Sequence, residues 1–213
     1  MKSFESHNFE LAQCQQELFE LRELLDSSDD LGENDRLLPF FRSHRNLSAF
    51  IGSFNIEISR FNLIAFEYDL FGDFRCDLVI GDSERCAYTF VEFEDAGPKS
   101  LFVKQGRKAT REWSPRLERG FGQIIDWFYK LHDRRNSDDC QARFGKRAID
   151  FTGVLIVGRN QHMDEGEQLR LAWRREHVVV NSKHISCWTY DELYEILHER
   201  LNQFTMAAKA GDG

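Results

Sequence analysis

Asp77, Glu92 and Glu94 are the residues whose types and spacing could do chemistry. Asp77 sits in the apolar run Cys76-Asp77-Leu78-Val79-Ile80, and the two glutamates close the run Tyr88-Thr89-Phe90-Val91-Glu92-Phe93-Glu94. Side chains alternate faces along a strand, so Glu92 and Glu94 point the same way, sharing a face with Tyr88 and Phe90. Pairing the two strands brings Asp77 beside them. Carboxylates gathered at one sheet end repel one another and lose hydration, a cost that a divalent cation offsets most simply. Gln123, on a later helix, could complete the cluster. A cation held by Asp77 and Glu92 would acidify a bound water and neutralise charge developing on a scissile phosphate, while Glu94 holds or deprotonates the attacking water. Glu-x-Glu is also the pattern of a solvated or salt-bridged strand face, and spacing alone leaves both readings standing.

The elements that must position these groups follow from periodicity. Asn8 to Asp26 reads as a helix whose Leu11, Cys14, Leu18, Leu21 and Leu25 form a narrow apolar seam, serving either packing on its own domain or self-association. Helical segments follow over Glu33 to Arg42 and Asn46 to Ile51, the latter stopping at Gly52. The period then changes to two. Strands are expected at Asn55 to Ile58, Leu63 to Leu70, Phe74 to Ile80 and Cys86 to Glu94. Lys99 to Trp113 is charged and irregular. Ser114-Pro115 opens a helix running to about His132, with Ser as N-cap and Pro at the first helical position. Leu117, Phe121, Ile124, Ile125, Phe128 and Leu131 make its buried stripe. Gly120 and Gly122 are costly there and point to close approach by another backbone or a ligand. Asp133 to Asp139 reads as a polar loop. Phe151 to Gly158 is a strand buried on both faces, followed by a helix at Glu165 to Glu176, strands at His177 to Val180 and His184 to Thr189, and a closing helix at Asp191 to Phe204. The fold class is α/β with α+β character: a mixed central β-sheet flanked by helices on both faces. The expected division is an N-terminal amphipathic helix over 1–30, one main domain over 31–204, and a flexible tail over 205–213.

Composition narrows the class. The 213 residues carry a net charge of −8, so nucleic acid is not recognised through global basicity. A local basic wall is present instead: Lys99, Lys104, Arg107 and Lys108, then Arg116 and Arg119 on the helix after them, placed to receive a phosphate backbone. The cysteines at 14, 76, 86, 140 and 187 are odd in number and lack any CxxC pair, which fits reduced core thiols and a cytoplasmic location. The N-terminal MKSFESHNFE has no apolar signal region, and no apolar run is long enough to span a membrane. The histidines show neither HxH nor HExxH spacing, which disfavours a histidine zinc site. Glu33, at a helix start, could reach the site as an outer acid, but reads first as a first-turn acid favoured by the helix dipole. Glu57, Glu67 and Asp73 are further acids upstream of Asp77, and Trp113 and Trp127 read as core residues in preference to nucleic-acid stacking platforms.

The runs GDFRCDLVIGDS, TFVEFEDA, EWSPRLERGFGQIIDWFYKL, GVLIVGR and RLAWRREHVVVNSKHISCWTYDELY together resemble the Shedu family of bacterial anti-phage proteins, from about Leu31 to Leu201. The resemblance implies a PD-(D/E)xK restriction-endonuclease-like domain, Mg²⁺ or Mn²⁺ as cofactor, phage or plasmid DNA as substrate, cleavage or nicking as activity, and homo-oligomeric assembly. It assigns Asp77 to the first acid, Glu92 to the second and Gln123 to the helix position. The departure is Glu94, which stands where the general pattern has lysine. A carboxylate there implies a general base or additional metal ligand that needs compensating positive charge; Lys99 or Lys104 swinging in is the alternative. The missing lysine also motivates the rival reading, a catalytically inactive nuclease-fold module that binds nucleic acid or partner proteins.

Overall fold

A computed structural model describes the backbone of residues 3–211 and the side chains of residues 3–206. In chain order the elements are β1 (Glu5–Ser6), α1 (Leu11–Ser27), a π-helical turn (Glu33–Leu37), α2 (Leu38–Ser43), α3 (Arg45–Phe50) with a 3-10 extension (Ile51–Phe54), β2 (Leu63–Leu70), β3 (Phe74–Asp82), β4 (Ala87–Phe93), β5 (Phe102–Val103), β6 (Glu112–Trp113), α4 (Pro115–Asp133), α5 (Asp138–Phe144), β7 (Asp150–Ile156), α6 (Glu165–His177), β8 (Val179–Val180), β9 (Lys183–Trp188) and α7 (Tyr190–Gly211). The main sheet has the order β1-β2-β3-β4-β7-β9-β8. Its first part is an antiparallel meander through β4, and β4-β7 and β7-β9 are parallel. This is the mixed sheet the sequence predicts. Consecutive strands make hairpins, and intervening helices force parallel crossovers.

Both faces of the sheet are covered. Leu78, Ile80, Val91, Phe93, Val154 and Ile156 pack under α1, α2, α3 and α7. Val79, Tyr88, Phe90, Leu155, Ile185 and Cys187 pack under α4, α5 and α6. The seam of α1 is spent inside the chain: Cys14, Leu18, Leu21 and Leu25 are buried in the first of these cores. Arg159, after β7, reaches the end of α1, donating to the Leu25 carbonyl at 2.7 Å and to Asp191 at 2.9 Å. None of the helices among the described residues is long and apolar enough to cross a membrane.

Several local expectations are corrected. Asn55 to Ile58 is a turn because Asn55 spends its side chain locally and across the core. Its oxygen accepts from Glu57 N at 2.9 Å, and its amide donates to Tyr88 O and Asp150. The helix expected to stop at Gly52 continues as the 3-10 turn to Phe54. The polar loop expected over 133–139 ends two residues early, where Ser137 caps α5 by accepting from Cys140 N. The irregular basic segment closes into the β5–β6 hairpin. On α4, Ile125 of the expected buried stripe is exposed, while Trp127 is buried in keeping with its reading as a core residue. The closing helix runs to Gly211; residues 212 and 213 of the expected tail lie outside the described residues.

The two glycines of α4 part company. A methyl group on Gly120 would stand 2.6 Å from Leu155 Cδ1 and 3.5 Å from Glu94 Cγ, whereas nothing lies within 4 Å of one on Gly122. Gly120 is therefore where α4 presses onto the sheet. Gly120→Ala should destabilise by about 1–3 kcal/mol through overpacking. Gly122→Ala should stabilise by up to about 1 kcal/mol. Urea denaturation of the two variants checks the pair, and equal signs would contradict the packing described.

Candidate active site

The acids assemble where the sheet opens. The β3–β4 ladder runs from Asp82↔Ala87 to Leu78↔Val91 and ends there. Beyond it the Asp77 carboxylate takes over the pairing role, with Oδ2 accepting from Phe93 N at 2.9 Å. The β2–β3 register likewise passes from Phe66↔Leu78 to Tyr68↔Cys76 without a Glu67–Asp77 pair, and Glu67 has a left-handed backbone with φ 50°. β3 thus peels away at Asp77, freeing its side chain to stand at the sheet end. On the other side β4 stays locked, because Glu94 N continues the parallel ladder to Ile156 O at 2.9 Å and Tyr190 Oη donates to Glu94 O at 2.8 Å. Phe93 points into the α1 side of the core, so Glu92 and Glu94 face α4 as the alternation requires.

Glu92 is 5% exposed, and its Oε2 has no hydrogen-bond partner. Burial, then the neighbouring Asp77 and Glu94 charges, push its carboxyl well above the usual range, and the Gln123 side chain opposes this by bonding to it. Asp77 is raised as well, mainly by burial; the Phe93 N–H and a side-chain hydrogen bond with Glu92 work the other way. Asp82 is a control in the same sheet. It is also buried, yet its oxygens accept from Ser59 N, Ser59 Oγ, Arg60 N, Glu84 N and Arg85 N. Burial pushes Asp82 up, but those donors outweigh it and hold the carboxyl at about 2. Burial raises both carboxyls; at Asp82 five donors outweigh it, whereas at Glu92 the Asp77 and Glu94 charges add to it and hydrogen bonding opposes it only weakly.

Glu94 has different surroundings. It is fully buried, and its carboxylate accepts from Arg119 Nη2 at 3.0 Å on both oxygens and from Arg116 Nη1 at 3.0 Å. Arg116 also pairs with Asp95 at 2.8 Å. Ser114 accounts for the placement: its Oγ accepts from Leu117 N at 2.9 Å, capping α4 so that its first turns carry both arginines over the end of β4. Glu33 joins the cluster, contrary to its reading as an ordinary first-turn acid. Its N–H donates to Asp95 Oδ1 at 2.8 Å, its carboxylate lies 3.4 Å from Arg116 and 3.7 Å from Arg119, and burial, then Glu94 and Asp77, raise it to about 7. The less favoured of its two sequence readings, an outer acid reaching the site, is the one the geometry matches; a dipole-favoured acid at a helix start looks the same in sequence. The upstream acids have basic partners of their own: Glu57 with Arg85, Glu67 with Arg42, and Asp73 with Lys130.

The basic residues divide. Arg116 and Arg119 serve Glu94, though the Arg119 side chain remains 58% exposed. Lys108 pairs with Glu112 in the hairpin. Lys99, Lys104 and Arg107 are exposed. Lys99 and Arg116 line a depression of about 370 Å³ with Asp30, Asp95 and Ser100.

These residues fit a hard divalent ion in a limited way. Among the described residues no group of three or more His, Cys, Asp or Glu is placed to hold a metal. The trio expected at Asp77, Glu92 and Glu94 is reduced to a pair, because the arginines occupy Glu94. Magnesium commonly uses only one or two carboxylates and keeps its remaining sites for water and phosphate. Asp77, Glu92 with its unpartnered oxygen, and the adjacent amide of Gln123 make a donor set of that kind. Residues 31–194 match the family model described as "Shedu protein SduA, C-terminal". No curated protein matches the chain.

Proposed function

The chain belongs to the Shedu family of anti-phage defence proteins, and on that premise we propose that it is a divalent-metal-dependent DNA endonuclease whose cation is held by Asp77 and Glu92. The observation that carries the reading is the orphaned, buried Glu92 oxygen beside a second acid of raised pKa. A buried carboxylate with one oxygen unpartnered is costly, and such sites persist where function requires them. A cation bound there supplies charge neutralisation at the scissile phosphate and a more acidic water. The chain's own residues do the rest. Gln123 fixes the orientation of the Glu92 carboxylate and leaves its amide beside the reacting water. Asp77 is aligned by the Phe93 N–H.

Glu94 takes a role other than base or ligand. Standing where the general pattern has lysine, it holds Arg116 and Arg119 at the sheet end. The exposed edge of Arg119 then supplies the positive charge toward the phosphate that the lysine would have supplied. Arginine suits this position because its fork can grip a carboxylate and still present N–H donors to phosphate. Lys99, Lys104 and Arg107 extend the basic surface along the DNA backbone.

Supercoiled plasmid is the test substrate. Wild type with Mg²⁺ or Mn²⁺ should yield nicked or linear product, and Asp77→Asn and Glu92→Gln should each lose it by at least about a hundredfold, the scale of a lost catalytic group. Equal cleavage by wild type and Glu92→Gln would remove the assignment. DNA binding without turnover under any metal would favour the inactive-module reading that the absent lysine motivates.

A further inference from the structure

A second built feature lies around the corner of α4 from the acids. A cavity of about 470 Å³ is lined by Trp113, Glu118, Arg170, Trp173, Arg174 and Val178. Trp113 stacks one face on Phe102 with centroids 4.5 Å apart, and the Arg170 guanidinium lies 4.9 Å from both rings. Arg174 lies 4.0 Å over Phe121 and 5.1 Å over Trp113, and pairs with Glu118. Trp173 forms the outer wall. It is 61% exposed and stacks almost parallel on His177, with centroids 4.8 Å and planes 7° apart.

We propose that this cleft receives an unpaired nucleobase of the DNA, stacked on Trp173 and Trp113 and flanked by the Arg170 and Arg174 guanidinium planes. Three observations favour a base. The walls are indole and guanidinium planes, which stack flat π-systems irrespective of sequence. Glu118 neutralises Arg174, and Arg170 leaves the lining with one net positive charge in an otherwise acidic protein, which suits a phosphate-bearing strand. The third is position: Trp113 leads into the N-cap of α4, and Glu118 in the cleft precedes Arg119 at the acids. Consecutive helix positions stand about 100° apart, so a strand whose phosphate meets Arg119 reaches the cleft by passing round part of one turn of α4. The inference rests on the endonuclease reading and sharpens its substrate to DNA that is locally unpaired, as at a gap or a flipped base.

The experiment compares a fully paired duplex with the same duplex carrying a short gap containing 2-aminopurine, read by anisotropy and by 2-aminopurine emission. Wild type should bind the gapped DNA on the order of tenfold more tightly and quench the probe. Trp173→Ala, at an exposed position, should lose both effects while keeping duplex affinity, and Trp173→Phe should restore part of them. Duplex and gapped DNA bound equally by wild type, or an equal loss on both DNAs in Trp173→Ala, would overturn the base cleft alone and leave Trp173 as a surface for a protein partner. Failure to bind either DNA would overturn the endonuclease reading and this inference with it.

Discussion

Glu92→Gln should make the metal-free protein more stable at pH 8, by about 1–3 kcal/mol, while abolishing metal-dependent cleavage. Most substitutions of a buried residue destabilise. This one removes a carboxylate that burial, Asp77 and Glu94 all disfavour in its ionised form, and keeps an amide that Gln123 can still meet. The pH dependence follows from proton counting. The carboxyls of Glu92, Asp77 and Glu33 are raised, so the folded chain holds protons that the unfolded chain has already released. Stability contributed by these groups is therefore lost as pH rises from the ordinary carboxylate range, for Glu33 from 4.5 through about 7. Asp82 has the opposite sign, but its contribution is lost only as pH falls toward about 2, well below the window of interest. Melting curves at pH 5 and pH 8 should show wild type losing stability across that range and Glu92→Gln losing less. At pH 8, Mg²⁺ should raise the melting temperature of wild type and leave the variant unchanged, since a ligand stabilises only the state that binds it. A Glu92→Gln protein that melts lower at pH 8 would show the carboxylate to be an ordinary structural acid.

Restoring the expected lysine should fail. Glu94→Lys would bury a cation against Arg116 and Arg119, both of which now donate to the Glu94 carboxylate at 3.0 Å. Removing one partner from a buried ion pair typically costs about 3–5 kcal/mol; part of that is discounted here because the two arginines are 35% and 58% exposed. A loss of roughly 3 kcal/mol, read by chemical denaturation, and loss of plasmid nicking are expected together. Glu94→Gln should do less harm, because an amide still accepts from a guanidinium, and should retain measurable nicking if Glu94 is neither base nor ligand. Full activity in Glu94→Lys would contradict the role given to the arginine pair. Complete loss in a well-folded Glu94→Gln would return Glu94 to a direct catalytic role.

Much of the architecture was legible because period and punctuation agreed. Leu63 to Leu70 is a mostly apolar, β-branched and aromatic run closed by Phe71-Gly72-Asp73, and Ser114-Pro115 marks a helix start within one residue. The pairing of the Asp77 and Glu92 strands followed from the short turn between them. What could not be read locally was decided by distant partners. Asn55 has strand-like neighbours, yet its side chain serves residues 33 and 95 positions away. Ile125 falls near the boundary of its helical stripe and lies exposed, where spacing alone placed it inside. Gly120 and Gly122 are alike in sequence and differ only in what faces them. At the site, spacing brought out three acids and one glutamine but could not show which acid would be claimed by arginines. Arg116 and Arg119 read as DNA contacts because their charge was visible and Glu94, their partner, lay more than twenty residues earlier. Glu33 was ranked as an ordinary first-turn acid for the converse reason, a local explanation sufficient in itself. The seam of α1 shows the same limit, since a narrow apolar stripe does not say whether its partner is this chain or another.

The central claim is that Asp77 and Glu92 together hold a divalent cation. Crystals soaked in Mn²⁺ and measured at the manganese absorption edge test it directly. The account predicts an anomalous peak between the Asp77 carboxylate and Glu92 Oε2, with Glu94 still on its arginines. Manganese bound elsewhere, with Glu92 left unliganded at saturating metal, would contradict it.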